Sequence, residues 1–349
     1  MTAIRVHLSK ARFNRIRLPT WLWPVAIGAT AVSAVVAALS MHLISWPAAA
    51  PAPVRPTTAA GLDAFEAQAG PTGAPLLWSV HKGKATVYLF GSIHALQDNM
   101  SWMDPRLFQA FDTADAAWFE VSDLDSLPPL RGFDGPALAA RPVLLNGLTD
   151  VEKKQLKIIV NRYDWSLDEL THVRPWAMAE FIEELDRSGG GFSTEHGVDY
   201  TLFHRAKSLK IATGGFESNK LHYSYLYDIG VGKSDKDGGT ARLQHALASH
   251  FGTGEPGQDI GSLVKDWRAG DERALTGRVL RDRKDDPQVD DVLLVKRNRL
   301  WVPKIEDLLK GDKTVFVAVG AAHMLGPDGL VAQLRGKGYT VTRLDPPAR

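Results

Sequence analysis

The sequence has no cysteine. That excludes thiol nucleophiles, thiolate metal sites and disulfides together. Any covalent nucleophile is then oxygen or nitrogen, and any metal must be held by His, Asp or Glu. Charge imbalance is also missing: 41 Lys and Arg stand against 40 Asp and Glu, a formal net charge of +1. No overall field draws the chain to nucleic acid or another polyanion. Several catalytic signatures are absent too. There is no Gly-x-Ser-x-Gly elbow, which disfavours a serine enzyme of the α/β-hydrolase type. No His-Glu-x-x-His helix marks a zincin, and no Walker A loop occurs.

What is present is unevenly placed. Residues 1–20 carry Arg5, Lys10, Arg12, Arg15 and Arg17 and no acid. From Trp21 to Trp46 there is no Asp, Glu, Lys or Arg. That run exceeds the roughly 20 residues that span a bilayer core as a helix. Trp21, Trp23 and Trp46 at its ends match the interfacial preference of tryptophan. The pattern predicts a cytoplasmic arm (1–20), a signal-anchor through the inner membrane (21–46) and a Pro/Ala-rich linker (47–75). One domain, 76–349, then faces outward, on the periplasmic side. A cleaved signal peptide ending near Ala48, Ala49 and Ala50 is the rival reading, and it exports the same domain.

Within that domain, Leu76–His81 and Ala85–Phe90 are apolar runs around Lys82-Gly83-Lys84 and predict a β-hairpin. The second run empties into Gly91-Ser92-Ile93-His94. Ala116–Val121 reads as a strand ending at Phe119-Glu120, and Lys210–Gly214 as a short strand before Phe216-Glu217. The stretch between is helical, as is most of 240–309, with breaks near Pro175 and Gly270-Asp271. Thr314–Val319 is an apolar strand that runs into Gly320-Ala321-Ala322-His323. A helix from Gly326-Pro327-Asp328 and a closing strand, Tyr339–Leu344, follow. The fold class is α+β or α/β: a mixed sheet from both ends of the domain, with a large helical insertion.

Both Gly-x-x-His segments sit where an apolar strand stops, and reactive groups in open sheets gather beyond strand carboxyl ends. Glu120 and Glu217 occupy the same kind of position. Two imidazoles with one or two carboxylates suit a divalent metal such as Mn, Co or Zn. Either histidine alone reads more simply as a helix cap or a filled polar gap; the pair points to a site. His196, His204, His222, His245 and His250 lack paired spacing and read as surface or capping residues.

The chain resembles the TraB/GumN family, related to the Tiki proteins that are described as metal-dependent proteases. The resemblance rests on Leu89-Phe90-Gly91-Ser92-Ile93-His94, Trp118-Phe119-Glu120, Pro175-Trp176, Glu195-His196-Gly197-Val198-Asp199, Phe216-Glu217-Ser218, Trp267-Arg268-Ala269-Gly270-Asp271, Arg297-Asn298 and Val319-Gly320-Ala321-Ala322-His323. It implies a metal site of His94, Glu120 and His323, with Glu217, Arg297 and Asp199 as further matched residues. Phe216-Glu217-Ser218 departs from the family's Leu-Glu-Thr but keeps the acid. The expected activity is metal-dependent hydrolysis of a peptide or protein substrate. Glu217 would act as general base or further ligand, and Arg297 would stabilise developing negative charge or pair with a site carboxylate. A surface ion pair in the basic run Lys296-Arg297-Asn298-Arg299 is the other reading of Arg297. The alternative function is a non-catalytic peptide- or glycan-binding protein of the cell envelope.

Overall fold

Thr314–Gly320 (β7) is the centre of the molecule's main sheet, and its residues explain why. After the first position it is apolar and buried throughout. Strands covered on both faces read as such continuous runs. The protein is represented by a computed structural model that describes residues 73–346, apart from 99, 123, 126–136, 219–220, 223–224, 226–238, 253–257 and 286. The basic arm, the expected anchor at 21–46 and all but the end of the linker lie outside the described residues. Among those described, no helix is long and apolar enough to cross a membrane.

The architecture is α+β. Eight strands follow in chain order: β1 (Leu77–Lys82), β2 (Ala85–Ser92), β3 (Leu96–Gln97), β4 (Ala116–Val121), β5 (Phe192–Ser193), β6 (Ala212–Glu217), β7, and β8 (Val341–Arg343). Six form a mixed sheet in the order β6-β4-β7-β2-β1-β8, while β3 and β5 form a separate pair. The first two strands make the expected antiparallel hairpin, and β8 pairs antiparallel with β1. The other three pairings, β2 with β7, β7 with β4 and β4 with β6, are parallel. Four carboxyl ends therefore share one edge. Register sharpens this: Ser92 faces Gly320, Phe119 faces Ala318, and Val121 faces Glu217.

The chain divides into two compact units. Of the described residues, one unit draws on those within 128–185 and 230–254, the other on those within 45–127, 186–229 and 255–349. In the helical unit, Thr149 caps helix Asp150–Asn161 through a reciprocal box with Glu152. Arg242 on helix Thr240–His250 pairs with Glu180 and Glu183 of helix Pro175–Gly189. The sheet unit has an aromatic core. Phe90 and Trp102 stack with centroids 6.1 Å apart, and Phe111 meets Phe316 edge-on at 5.1 Å.

Three expected elements begin later than the sequence indicates; the closing strand expected at 339–344 spans only Val341–Arg343. The strand expected at 210–214 spans 212–217, because Lys210 takes a left-handed conformation (φ 59°) that ends helix Val198–Leu209. The helix expected from Gly326 starts at Leu330, after Gly326 turns the chain at φ 75°.

Candidate functional site

Each Gly-x-x-His turn uses its glycine for close approach. A Cβ on Gly91 would lie 2.9 Å from the Ala321 Cα. The Gly91 carbonyl accepts a 2.7 Å bond from the buried Trp267 Nε1. A Cβ on Gly320 would sit 3.1 Å from Glu120 Oε1 and 3.2 Å from His94 Nε2. That missing side chain leaves the space into which the two turns direct their histidines.

The three residues expected to share a site do converge. Glu120 Oε1 lies 3.7 Å from His94 Nε2 and 3.6 Å from His323 Nε2. The same oxygen accepts a 2.8 Å bond from the Gly320 amide. His323 and Glu120 are buried, whereas the His94 side chain is 61% exposed, so the cluster opens to solvent on the His94 side.

Arg297 is not a surface residue. Helical phase splits its basic run: Lys296 and Arg299 point outward, while Arg297 and Asn298 are buried. Arg297 donates to Glu120 Oε2 at 2.6 Å and to both oxygens of Glu217, at 2.8 and 3.0 Å. Its Nη1 donates to the Leu293 carbonyl at 3.1 Å and lies 3.3 Å from His323 Nε2. Leu293 belongs to a π-helical turn, Asp291–Val295, that interrupts the run into helix Lys296–Leu308. Such wide turns are often found at functional sites. The guanidinium also lies over Trp301, 4.7 Å from the ring centroid.

Glu217 is fully engaged. Besides Arg297, it accepts a 3.0 Å bond from Trp301 Nε1, and His222 Nδ1 lies 3.3 Å from its other oxygen. Sequence reading placed His222 among surface or capping residues; the structure brings it to the rim of this cluster. Two further residues orient the imidazoles. Asp199 accepts from His94 Nδ1 at 2.7 Å, and Asn298 Oδ1 accepts from His323 Nδ1 at 2.7 Å. The sequence marks Asn298 only by its place beside Arg297. Its signal was that it follows a buried arginine on the same helix, which spacing alone does not reveal.

Electrostatics treats the two histidines oppositely. Burial pushes the His94 imidazolium down, but Asp199 and Glu120 outweigh it and raise the pKa to about 9. The ring's open face makes this a matter of carboxylate attraction more than of burial. His323 is lowered to about 3, chiefly by burial, which the pull of Glu120 does not overcome. Burial pushes the Glu120 carboxyl up, yet Arg297 and the imidazoles hold it well below the usual range. Arg297 itself is raised above its ordinary value: burial lowers it, but Glu120 and Glu217 prevail.

The donor set fits a divalent cation in several respects. It offers two imidazoles and a carboxylate oxygen around a space that a Cβ would fill. Ligand atoms about 2.0–2.2 Å from a metal stand about 3.4 Å apart in tetrahedral geometry, close to the separations seen here. With neutral imidazoles, Glu120, Glu217 and Asp199 against Arg297 leave two negative charges uncompensated. Even so, among the described residues no group of three or more His, Asp or Glu side chains is arranged to hold a metal as it stands. Arg297 Nη1 stands 3.3 Å from His323 Nε2, on the side of the ring that a metal would take.

Comparison with family models finds a match over residues 76–343 to the TraB/PrgY/gumN family. Comparisons with curated proteins and with solved structures return no match. The matched stretch contains the whole sheet, both Gly-x-x-His turns and Arg297, and the chain belongs to the TraB/PrgY/gumN family.

Proposed function

We propose that this protein is a metal-dependent hydrolase, most simply a peptidase, held to the inner membrane by residues 21–46 with its site facing the periplasm. The observation that carries the reading is the approach of His94 Nε2 and His323 Nε2 to one oxygen of Glu120, at 3.7 and 3.6 Å. His94, Glu120 and His323 would hold Mn, Co or Zn. A bound cation there would polarise a scissile carbonyl and lower the pKa of a water.

The chain's own residues supply the rest. His94 has the open face and borders the substrate. Arg297 keeps a positive charge beside the reacting centre, where negative charge grows in acyl transfer. Glu217 anchors Arg297 with both oxygens, and a general-base role would require it to release one of those bonds. Loading also requires Arg297 Nη1 to give up His323 Nε2.

That last contact favours a second reading, capture of a peptide or glycan without turnover. Metal content and peptidase activity, measured for wild type, His94→Ala and His323→Ala, separate the two. Metal bound by wild type and lost from both variants, together with chelator-sensitive cleavage, is the expected result. Equal metal content in all three rejects the hydrolase reading, and peptide binding that survives chelation supports the second.

A further inference from the structure

We propose that Asn298 and Asp199 are positioning residues that lock His323 and His94 in the Nδ1–H tautomer, so that each ring, once neutral, directs its Nε2 lone pair at the space beside Glu120. The inference rests on the reading that these rings bind one cation, and it names what prepares them.

The tautomer of His323 follows from its neighbours on both sides. Asn298 Nδ2 faces two carbonyls, donating to Asp328 at 2.9 Å and to His323 at 3.3 Å. Carbonyls only accept, so the donor end of the amide is fixed there. Oδ1 must then be the atom 2.7 Å from His323 Nδ1. An amide oxygen cannot donate, so Nδ1 carries the proton. Across the ring, Arg297 Nη1 lies 3.3 Å from Nε2, and a guanidinium only donates. Nε2 is therefore bare. Trp301 lies against the same ring with centroids 4.4 Å apart, which opposes rotation.

His94 is held by different chemistry to the same end. Asp199 Oδ2 lies 2.7 Å from Nδ1, and Asp199 Oδ1 accepts a 2.6 Å bond from the Ser92 hydroxyl. The backbone clamps the two segments as well. Val198 donates its amide to the Ile93 carbonyl at 2.9 Å, and a Cβ on Gly197 would fall 2.1 Å from the His94 oxygen. The stretch Gly197-Val198-Asp199 thus has one purpose: glycine permits the approach, valine's amide fixes it, and the carboxylate orients the ring. A carboxylate, being charged, also raises the imidazole's basicity as a ligand more than a neutral amide oxygen does.

The test uses full-length protein in detergent, stripped by chelator and labelled with 15N-histidine. Long-range 1H–15N spectra at alkaline pH, where both rings are neutral, should show a protonated Nδ1 and a bare Nε2 for His94 and His323. Zinc titration against a competing chelator should then show affinity reduced about 10–100-fold in Asn298→Ser and in Asp199→Ala, which remove the acceptor at Nδ1. Should Asn298→Ser not fold, Asp199→Ala and the wild-type spectra decide. A protonated Nε2 on either ring overturns the proposal, and so does unchanged zinc affinity in a folded variant. If wild type binds no metal, the hydrolase reading falls, and the spectra still judge the tautomers.

Discussion

Ser92 of β2 and Gly320 of β7 face each other in a parallel ladder. Ser92 lies two residues before His94 and Gly320 three before His323, so this register sets the two Gly-x-x-His turns side by side at the sheet edge. Glu120 reaches them from the other side of β7, where β4 keeps the same direction.

Gly320 is the most economical place to test that geometry. Gly320→Ala would put a methyl group 3.1 Å from Glu120 Oε1 and 3.2 Å from His94 Nε2, and the backbone there (φ −46°) accepts alanine. The variant should fold with a thermal midpoint near that of wild type. Its divalent-metal affinity should fall at least about tenfold, the scale of a lost ligand-orienting contact. Undiminished affinity in calorimetric titration would show that the space is not where the cation binds.

Arg297 should matter to stability whatever the activity. Arg297→Met leaves Glu120 and Glu217 buried without their shared partner. Removing one member of a buried ion pair costs about 3–5 kcal/mol. Urea unfolding of chelator-treated protein should report that loss. Arg297→Lys should recover only part, because an ammonium cannot present the parallel pair of donors that Glu217 receives. Adding Glu217→Gln to Arg297→Met should restore some stability by removing one uncompensated charge.

Acid and alkali should destabilise the metal-free protein through different histidines. His323 sits at about 3 in the fold against 6.5 when free. The unfolded chain therefore takes up a proton that the folded one refuses, and stability falls as pH drops from 6.5 toward 3. Glu120, also depressed in the fold, adds to the loss below its ordinary 4.5. His94 has the opposite sign. Its stabilisation is complete below 6.5 and disappears as pH rises through about 9. Because the His94 ring is largely exposed, solvent screening makes the alkaline decline the shallower one. Urea midpoints across this range should show both slopes. His323→Phe should flatten the decline between 6.5 and 4.5, and an unchanged acid slope in that variant would contradict the assignment.

Strand periodicity made most of the sheet legible. The β1–β2 hairpin, β4 and β7 fall within a residue or two of their expected places, because short apolar runs bounded by polar or glycine residues have few other structures to adopt. β6 was placed two residues early, since nothing local announces that Lys210 takes a left-handed turn. His94, Glu120, Glu217 and His323 were legible as strand-end residues. Arg297 was ambiguous within a basic run. His222 has no spacing in the sequence that ties it to Glu217, and only the tertiary contact between them brings it to the cluster.

The sequence by itself determined the donor chemistry. Without cysteine, a site can offer no thiolate, and two apolar strands each end in a glycine and a histidine. What it could not determine was convergence, because the two turns are separated by more than two hundred residues and only parallel pairing in register makes them neighbours. Burial of Arg297 against Glu120 and Glu217, and the fixing of each ring by Asp199 or Asn298, were likewise decided by tertiary structure. Those bonds join residues far apart in the chain, and their strength comes from a desolvated interior that exists only after the sheet and its helices have packed.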